Sequence, residues 1–162
     1  MRRLFALVLI QFMLSSPALA GDPVILFAED NKQLNQAIIE ARNSLPKFLL
    51  HVTKNKLADN QFGLKVAFQG DDYIEHIWIS QPIDLGGGKF SGLLANEPDQ
   101  LGKLSINDKV VFFEDQISDW NLVRGGKGYG FYTLRIMLAQ MPAPQAAQLR
   151  DFLSLDPIPQ RW

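Results

Sequence analysis

Cysteine is absent from the sequence. This absence excludes disulfides, thiol nucleophiles, iron–sulfur clusters, cysteine-based zinc sites and an N-terminal cysteine that carries a lipid anchor. Histidine is scarce, with His51 and His76 as its two positions. Because a catalytic zinc site usually takes about three protein ligands, it would need both histidines and a carboxylate. We therefore predict no metal site and no cofactor.

An excess of positive charge is also missing. Lys and Arg number 16 and Asp and Glu number 17, which gives a formal net charge of -1. Since basic patches drive binding to phosphate backbones, we predict no nucleic-acid partner. The glycines around Gly87 and Gly126 lack the phosphate-loop and dinucleotide-binding spacings, and a Gly-x-Ser-x-Gly nucleophile elbow does not occur.

The N-terminal apolar run is too short to cross a membrane. It extends from Leu4 to Leu14. That is ~11 residues, whereas a bilayer needs ~20. Arg2 and Arg3 precede the run, and Ala18-Leu19-Ala20 follows it as a small-x-small cleavage site. The pattern predicts a signal peptide over residues 1–20, a periplasmic location and a mature chain that does not span the membrane.

The rest of the sequence shows helical periodicity first and strand periodicity later. Apolar residues spaced by threes and fours predict an amphipathic helix with one buried stripe. The stripe comprises Leu34, Ala37, Ile38, Ala41, Leu45, Phe48, Leu49 and Val52. Pro46 either kinks this helix or starts a second one. Alternating or β-branched runs predict strands. They lie at Phe62–Phe68, Tyr73–Ser80, Lys89–Leu94, Val110–Phe113 and Ile117–Val123.

We therefore predict an α+β fold, with an N-terminal amphipathic helix packed on a curved antiparallel sheet of four or five strands and short C-terminal helices. Four details refine this prediction. Pro82 ends the second strand, Val110–Phe113 is covered on both faces, Ile117–Val123 is its hairpin partner, and the glycines at 125–130 form a mobile hairpin tip.

The predicted domain organisation has four parts. The signal peptide is followed by an entry segment at residues 21–29, where Val24–Phe27 could form a short edge strand. A single α+β domain occupies residues 30–154. The segment 131–141 is ambiguous but rich in helix formers, and Gln145–Leu153 forms a short helix. Residues 155–162 form an extended tail, which Pro157 and Pro159 stiffen.

The densest polar and aromatic cluster is Glu75-His76-Ile77-Trp78. Strand alternation places His76 and Trp78 on one face and Glu75 on the other, so Glu75 and His76 cannot act together on one substrate. Two interpretations remain open. His76 is a hydrogen-bonded sheet residue beside a core Trp78, or the two line a polar pocket in which histidine titrates near neutral pH.

Two further clusters contain candidate binding residues. In Asp119-Trp120, the carboxylate either caps backbone N–H groups beside a packing indole or belongs to a site. In Tyr132-Thr133-x-Arg135, the planar guanidinium can clamp a carboxylate. That carboxylate belongs to a ligand, or to Glu75 or Asp119 in an internal ion pair, which we favour.

Four ordered motifs carry a resemblance to a known family. They are Glu75-His76-x-Trp78, Gly92-x-Leu94-x-Asn96-x-Pro98, Ile117-x-Asp119-Trp120 and Tyr132-Thr133-x-Arg135 after the glycine loop. Together they resemble the YegJ-like family of small bacterial domains of unknown function, from about Asn31 to Met141. One departure is Asn107-Asp108 where the family pattern has Gly-Asp. The resemblance implies a shared fold and supplies no reaction.

Three functions fit the sequence. The favoured one is a non-enzymatic binding or protein-interaction module in the periplasm, with Trp120 and Arg135 among its anchors, because Trp and Arg often dominate recognition surfaces. The second is a small hydrolase or lyase with His76 as general base. The third is a structural envelope protein whose motif residues form the core. The sequence identifies neither a protein partner nor a small-molecule ligand.

Overall fold

The computed structural model describes residues 31–55, 62–70 and 72–162. The predicted signal peptide and entry segment, including Val24–Phe27, lie outside these described residues. Residues 32–162 form one compact unit. Among the helices of the described residues, none is both long enough and apolar enough to cross a membrane.

The predicted amphipathic helix is present as α1, Lys32–Asn55. Its buried residues follow the predicted stripe and include Ala41, Leu45 and Phe48. The helix continues through Pro46, so this proline does not start a second helix. A proline inside a helix costs about 3 kcal/mol because it removes one hydrogen bond and crowds the preceding turn. Packing of the buried stripe offsets this cost.

In the part of the chain that the structure describes, α1 is followed by six strands, one more than the upper limit of the prediction. They are β1 (Phe62–Gln69), β2 (Ile74–Gly86), β3 (Lys89–Leu94), β4 (Lys109–Phe113), β5 (Ile117–Arg124) and β6 (Lys127–Gly130). Their order in the sheet is β4-β3-β2-β1-β5-β6, and all neighbours pair antiparallel. The additional strand, β6, lies in the segment predicted as a hairpin tip. Gly125 and Gly126 supply the two positive φ angles of its turn, 59° and 75°.

Two predictions about the strands are wrong, one on where β2 ends and one on the partner of β5. The strand β2 continues beyond Pro82 to Gly86, because a register shift between Ser80 and Ile83 accommodates the proline, with Gln81 at a φ of 50°. The strand β5 pairs with β1 and β6 and is not the hairpin partner of β4.

The link between β4 and β5 shows that the sheet is curved, as predicted. Strands β3, β2 and β1 lie between them in the sheet order. At ~4.8 Å per strand, a flat sheet would place them ~19 Å apart. Phe113 and Ile117 are joined by the 3-10 turn Glu114–Gln116. Those four peptide steps reach ~14 Å at most. The sheet must therefore curl to bring the two strands together.

The C-terminal part is helical, as the composition predicts. It comprises α2 (Tyr132–Met137), a 3-10 turn at Leu138–Gln140 and α3 (Ala143–Phe152). Residues 155–162, predicted as an extended tail, contain no helix or strand. They pass β6, where the Gly130 N–H donates to the Pro157 carbonyl at 2.7 Å, and Trp162 packs against the core.

The sheet has two different faces. The main core lies between one face and α1, and includes Phe48, Ile77, Phe112 and Trp120. The opposite face is only partly covered. There, Trp78 belongs to a second apolar cluster whose buried members are Phe131, Leu138 and Leu153.

Candidate functional site

Three adjacent strands, β2, β1 and β5, place a polar row on the face opposite α1. Lys65 of β1 lies directly between Trp78 of β2 and Asp119 of β5, as their cross-strand partner on each side. Directly opposed residues share a face of a sheet. The segment from Phe131 to Thr133, at the start of α2, reaches this row. The covered cluster is defined here as Lys65, Trp78, Asp119 and Thr133.

Asp119 is the acceptor at the centre of the covered cluster. Its side chain is 0% exposed. It accepts hydrogen bonds from the N–H groups of Trp120 at 2.8 Å, Tyr132 at 3.1 Å and Thr133 at 2.8 Å, and from the Thr133 hydroxyl at 2.7 Å. Two of these N–H groups begin α2, where Phe131 provides no side-chain cap. Asp119 therefore caps α2 from a neighbouring strand.

Lys65 completes a relay of hydrogen bonds. Its ammonium donates to the Thr133 hydroxyl oxygen at 3.2 Å and lies 5.7 Å from the centre of the Trp78 ring. Since the Thr133 hydroxyl proton is directed to Asp119, its oxygen is left to accept from Lys65. Burial lowers the pKa of Lys65 against the opposing effect of Asp119, and burial raises the pKa of Asp119 against its hydrogen bonds and Lys65. Both shifts reflect removal of a charge from water.

The sequence patterns do not single out Lys65 as a candidate site residue. The available signal was its neighbours: Gly63, Lys65 and Ala67 share the strand face that alternates with Leu64 and Val66. A lysine between small residues has room to lie along a sheet, but composition alone does not distinguish it from a solvated lysine.

His76 lies beside the covered cluster and is exposed. Its Nδ1 is 2.8 Å from the Ser118 hydroxyl oxygen, and that hydroxyl donates to the Lys65 carbonyl at 3.2 Å. Because the hydroxyl has one proton, this network assigns the Nδ1–H tautomer, with the Nε2 lone pair outward. Partial burial of the ring on its Nδ1 side, followed by Lys65 and Arg42, lowers the pKa of His76 to about 4, so the ring is neutral at pH 7.

Glu75 has a separate local role. Its carboxylate accepts the N–H groups of Asp99 at 2.9 Å and Gln100 at 2.9 Å. These bonds fasten the turn that follows β3, away from the imidazole of His76. The two neighbours do not form an acid–base pair, which agrees with the strand alternation.

Arg135 does not form the internal ion pair that we favoured. Its Nε donates to the Gly130 carbonyl at 2.8 Å and its Nη1 to the Ser154 carbonyl at 2.7 Å, while Nη2 lies 3.5 Å from the Gly128 carbonyl. The prediction fails because Glu75 and Asp119 are occupied by other hydrogen-bond donors. The guanidinium instead holds β6, α2 and the segment after α3 together.

Trp120 and Tyr132 belong to the main core. The Trp120 indole is 0% exposed and stacks on Phe48, with ring centroids 4.5 Å apart. Its Nε1 donates to the Ser44 hydroxyl at 2.9 Å, and Ser44 also bonds the Tyr132 hydroxyl at 3.1 Å. A partner cannot reach Trp120 in this fold, so it is not a surface anchor.

The remainder of this sheet face carries exposed apolar side chains on β2 and β4, with the buried Ser91 of β3 between them. Ile83, Leu85, Val111 and Phe113 are 55%, 52%, 51% and 52% exposed. Cross-strand pairing places Ile83, Ser91 and Val111 in one row across β2, β3 and β4. We call the four apolar residues the open face. The prediction that Val110–Phe113 is covered on both faces is wrong, since β4 alternates between buried and exposed.

Metal chemistry has no ligand set in the part of the chain that the structure describes, since no group of three or more His, Cys, Asp or Glu residues there could hold an ion. The clefts of the described residues include one beside α1 at Leu49 and Phe62 and one beside the tail at Arg124 and Tyr129. His76 lines neither of them.

Sequence comparison supplies the family. The model of DUF2314, described as an uncharacterized protein conserved in bacteria, matches residues 31–156. The chain belongs to this family. It is 29% identical over 130 residues to Uncharacterized protein YegJ of Escherichia coli (strain K12), covering 80% of this chain and 83% of that protein. The predicted YegJ-like resemblance is thereby confirmed. No solved structure matches the chain.

A second relative is longer. The chain is 33% identical over 130 residues to "Putative ankyrin repeat protein NMB1133/NMB1171" of Neisseria meningitidis serogroup B (strain ATCC BAA-335 / MC58). The match covers 75% of this chain and 51% of that protein, so it spans about half of the relative's length.

Proposed function

We propose that this chain is a non-enzymatic, periplasmic binding module that recognises a protein partner with its open face. One observation carries the proposal: four large apolar side chains on β2 and β4, the strands on either side of β3, are each about half exposed. Soluble proteins rarely leave contiguous apolar patches uncovered, and larger ones mark interaction sites. The open face also offers a rigid sheet, which loses little conformational freedom on binding.

The lysines of the open face define the chemistry of the partner. Lys89 is the direct cross-strand partner of Phe113, and Lys109 pairs with Leu93. Both lysines are exposed on the same face as the apolar residues. The complementary surface is therefore apolar at its centre and acidic at its rim, since charge complementarity steers association and fixes orientation.

The motif residues support recognition indirectly. Asp119 caps α2, Arg135 binds three carbonyl groups, and Trp120 fills the core. These contacts explain why the motif residues are present without invoking a ligand, as the hypothesis that they form the core requires. They hold the sheet that presents the open face, so structural motifs and a binding surface are compatible.

Catalysis by His76 has weaker support. A general base works best when its pKa is near the working pH. The pKa of His76 is about 4, so its Nε2 is free of a proton at pH 7 but only weakly basic. Ser118, the hydroxyl beside it, is 0% exposed and out of reach of a substrate.

Two further observations support the proposal. The first twenty residues have the charged, apolar and small-residue regions of a signal peptide, which is the basis for the periplasmic location. The Neisseria relative carries the words "ankyrin repeat" in its name. Ankyrin repeats stack into extended binding surfaces, so a related domain in such a protein is in keeping with an interaction role.

The test is in-cell crosslinking of the full chain, comparing Phe113→Gln and Lys89→Glu with matched controls. Ile39→Gln changes an apolar residue that is 51% exposed on α1, and Lys103→Glu changes an exposed lysine in a loop. We expect one crosslinked protein to be captured by the wild type and both controls and lost from both open-face variants.

Circular dichroism would first establish that all four variants are folded. Equal capture by Phe113→Gln, Lys89→Glu and wild type would contradict the use of the open face. Mature protein that remains in the cytoplasm with Met1 intact would contradict the periplasmic location.

A further inference from the structure

A polar cleft lies between the β5–β6 hairpin and the tail, at the opposite end of the strand order from β4. Its volume is about 450 Å³. This is within the usual range for small-molecule sites, roughly 300–1,000 Å³. We call it the tail cleft. Its lining includes Arg124, Tyr129, Ser154, Asp156, Gln160 and Arg161.

Two arginines with unused donors line the tail cleft. Arg124 lies over the Tyr129 ring, with its Cζ 5.6 Å from the ring centre, and its Nη2 donates to the Arg161 carbonyl at 2.8 Å. Within the described residues, Nε and Nη1 of Arg124 form no hydrogen bond, and the Arg161 side chain forms none either. Neither arginine has a carboxylate partner there. Arg161 keeps the planar donor pairs that bind a carboxylate bidentately, and Arg124 adds the single donors that its bond to the Arg161 carbonyl leaves.

The other lining groups refine the ligand. The hydroxyl groups of Tyr129 and Ser154 and the amide of Gln160 add neutral donors. Asp156 is the one carboxylate of the lining, and its Oδ1 accepts the Ile158 N–H at 2.9 Å. Its second oxygen remains to accept from a ligand. The lining thus combines a donor-rich, positive part with a single anionic acceptor.

We infer that the tail cleft binds a small molecule that carries a carboxylate and, close to it, an ammonium or another hydrogen-bond donor. The arginines hold the carboxylate, and Asp156 accepts from the donor. A phosphate fits less well, because the Asp156 carboxylate repels its higher negative charge and phosphate has no ammonium to donate to that carboxylate. This site is independent of the open face.

The experiment titrates the isotope-labelled full chain with glutamate, glutarate and inorganic phosphate, and follows backbone amide shifts by NMR. Glutarate has the two carboxylates of glutamate without its ammonium. We expect saturable shifts confined to the β5–β6 hairpin and residues 154–161, with glutamate the tightest. The Arg161→Gln variant should weaken glutamate binding by about tenfold, because it removes one bidentate donor pair.

Arg161→Gln is the cleaner arginine variant, since the Arg161 side chain forms no hydrogen bond within the described residues, while the Arg124 side chain binds the tail. Asp156→Asn should abolish the preference for glutamate over glutarate, and Arg150→Gln, an exposed arginine on α3, should change nothing. Shifts without saturation, shifts spread over all basic residues, or phosphate binding tighter than glutamate would overturn the assignment.

Discussion

The sheet face that points away from α1 has two halves: a covered half, which contains the covered cluster, and an open half, which contains the open face. Their exposure reverses the usual rule that charged residues are exposed and apolar residues are buried. Beneath the start of α2, the covered half contains Lys65 and the fully buried Asp119. On the open half, Val111 and Phe113 are about half exposed. Charged residues are rarely buried unless paired, and large apolar residues usually are buried. The difference shows that local partners, rather than residue type alone, decide which half is covered.

The covered half is stable because each polar group has a partner. Asp119 has four hydrogen-bond donors, and Thr133 connects it to Lys65. An unpaired charge in such a place would cost several kcal/mol. The open half has no such constraint, so its apolar residues remain accessible. Three tests address this comparison, from the largest expected effect to the smallest.

Removing the Asp119 carboxylate, the central hydrogen-bond acceptor of the covered cluster, should have the largest effect on the free energy of unfolding. The Asp119→Ala variant leaves Lys65 without its counter-charge and α2 without its cap. We expect the free energy of unfolding to fall by about 3–5 kcal/mol, the usual cost of breaking a buried charge pair. Urea denaturation followed by circular dichroism measures the change.

Two variants sharpen this test. Asp72→Ala, at an exposed position, should cost no more than about 0.5 kcal/mol. The double variant Lys65→Met/Asp119→Ala should cost less than the sum of the single changes, because the removal of both charges leaves none unpaired. Additive costs would show that Lys65 and Asp119 are not coupled.

A change of pH should have an intermediate effect on the free energy of unfolding. It acts through His76, which lies at the border between the covered half and the open half. The pKa of His76 is lowered from 6.5 to about 4 in the folded chain. The unfolded chain therefore takes up a proton first as the pH falls. The stabilisation is complete above pH 6.5 and is lost progressively towards pH 4. Because His76 is exposed, solvent screening limits this effect to a few tenths of a kcal/mol, up to about 1 kcal/mol.

The measurement compares unfolding free energies at pH 7.5 and pH 4.5 in wild type and His76→Gln. Other titrating groups are common to both proteins, so the difference between the two pH dependences isolates His76. A steeper loss of stability in His76→Gln than in wild type on acidification would contradict the direction of the shift.

Substitution on the open face should have the smallest effect on stability. Phe113→Ala removes a side chain that is 52% exposed, and we expect a change within about 0.5 kcal/mol. Its neighbour Phe112 is 0% exposed, and Phe112→Ala should cost about 3–5 kcal/mol. Similar losses in both variants, measured by urea denaturation, would show that the open face is packed.

Periodicity in the sequence predicts the elements whose burial follows their pattern. The stripe of α1 and the bounds of β3, Lys89–Leu94, agree with the sequence pattern, because spacing by threes and fours or by twos is a local signal. The antiparallel α+β class followed from the same signals. The family motifs also pointed to Asp119 and Thr133, which the structure brings together.

The missed features depend on contacts distant in sequence. The partners of β5 are set by β1, more than fifty residues earlier in the chain, so proximity to β4 misled the pairing. The glycines of β6 have low strand propensity, and pairing with β5 overrides it. The run at Val110–Phe113 has no polar residue to reveal its exposed side. Arg135 binds carbonyl groups, which have no signature in a side-chain pattern.

The three-residue link between β4 and β5 has a mechanical consequence. It joins an edge strand to an interior strand that a flat sheet would place out of reach, so it works as a tether that sets the radius of the sheet. Adding residues to the link Glu114–Gln116 would allow a larger distance between β4 and β5, and the sheet could then flatten without a change in any side chain of the open face. The curvature presented to a partner is thus encoded in the length of a loop.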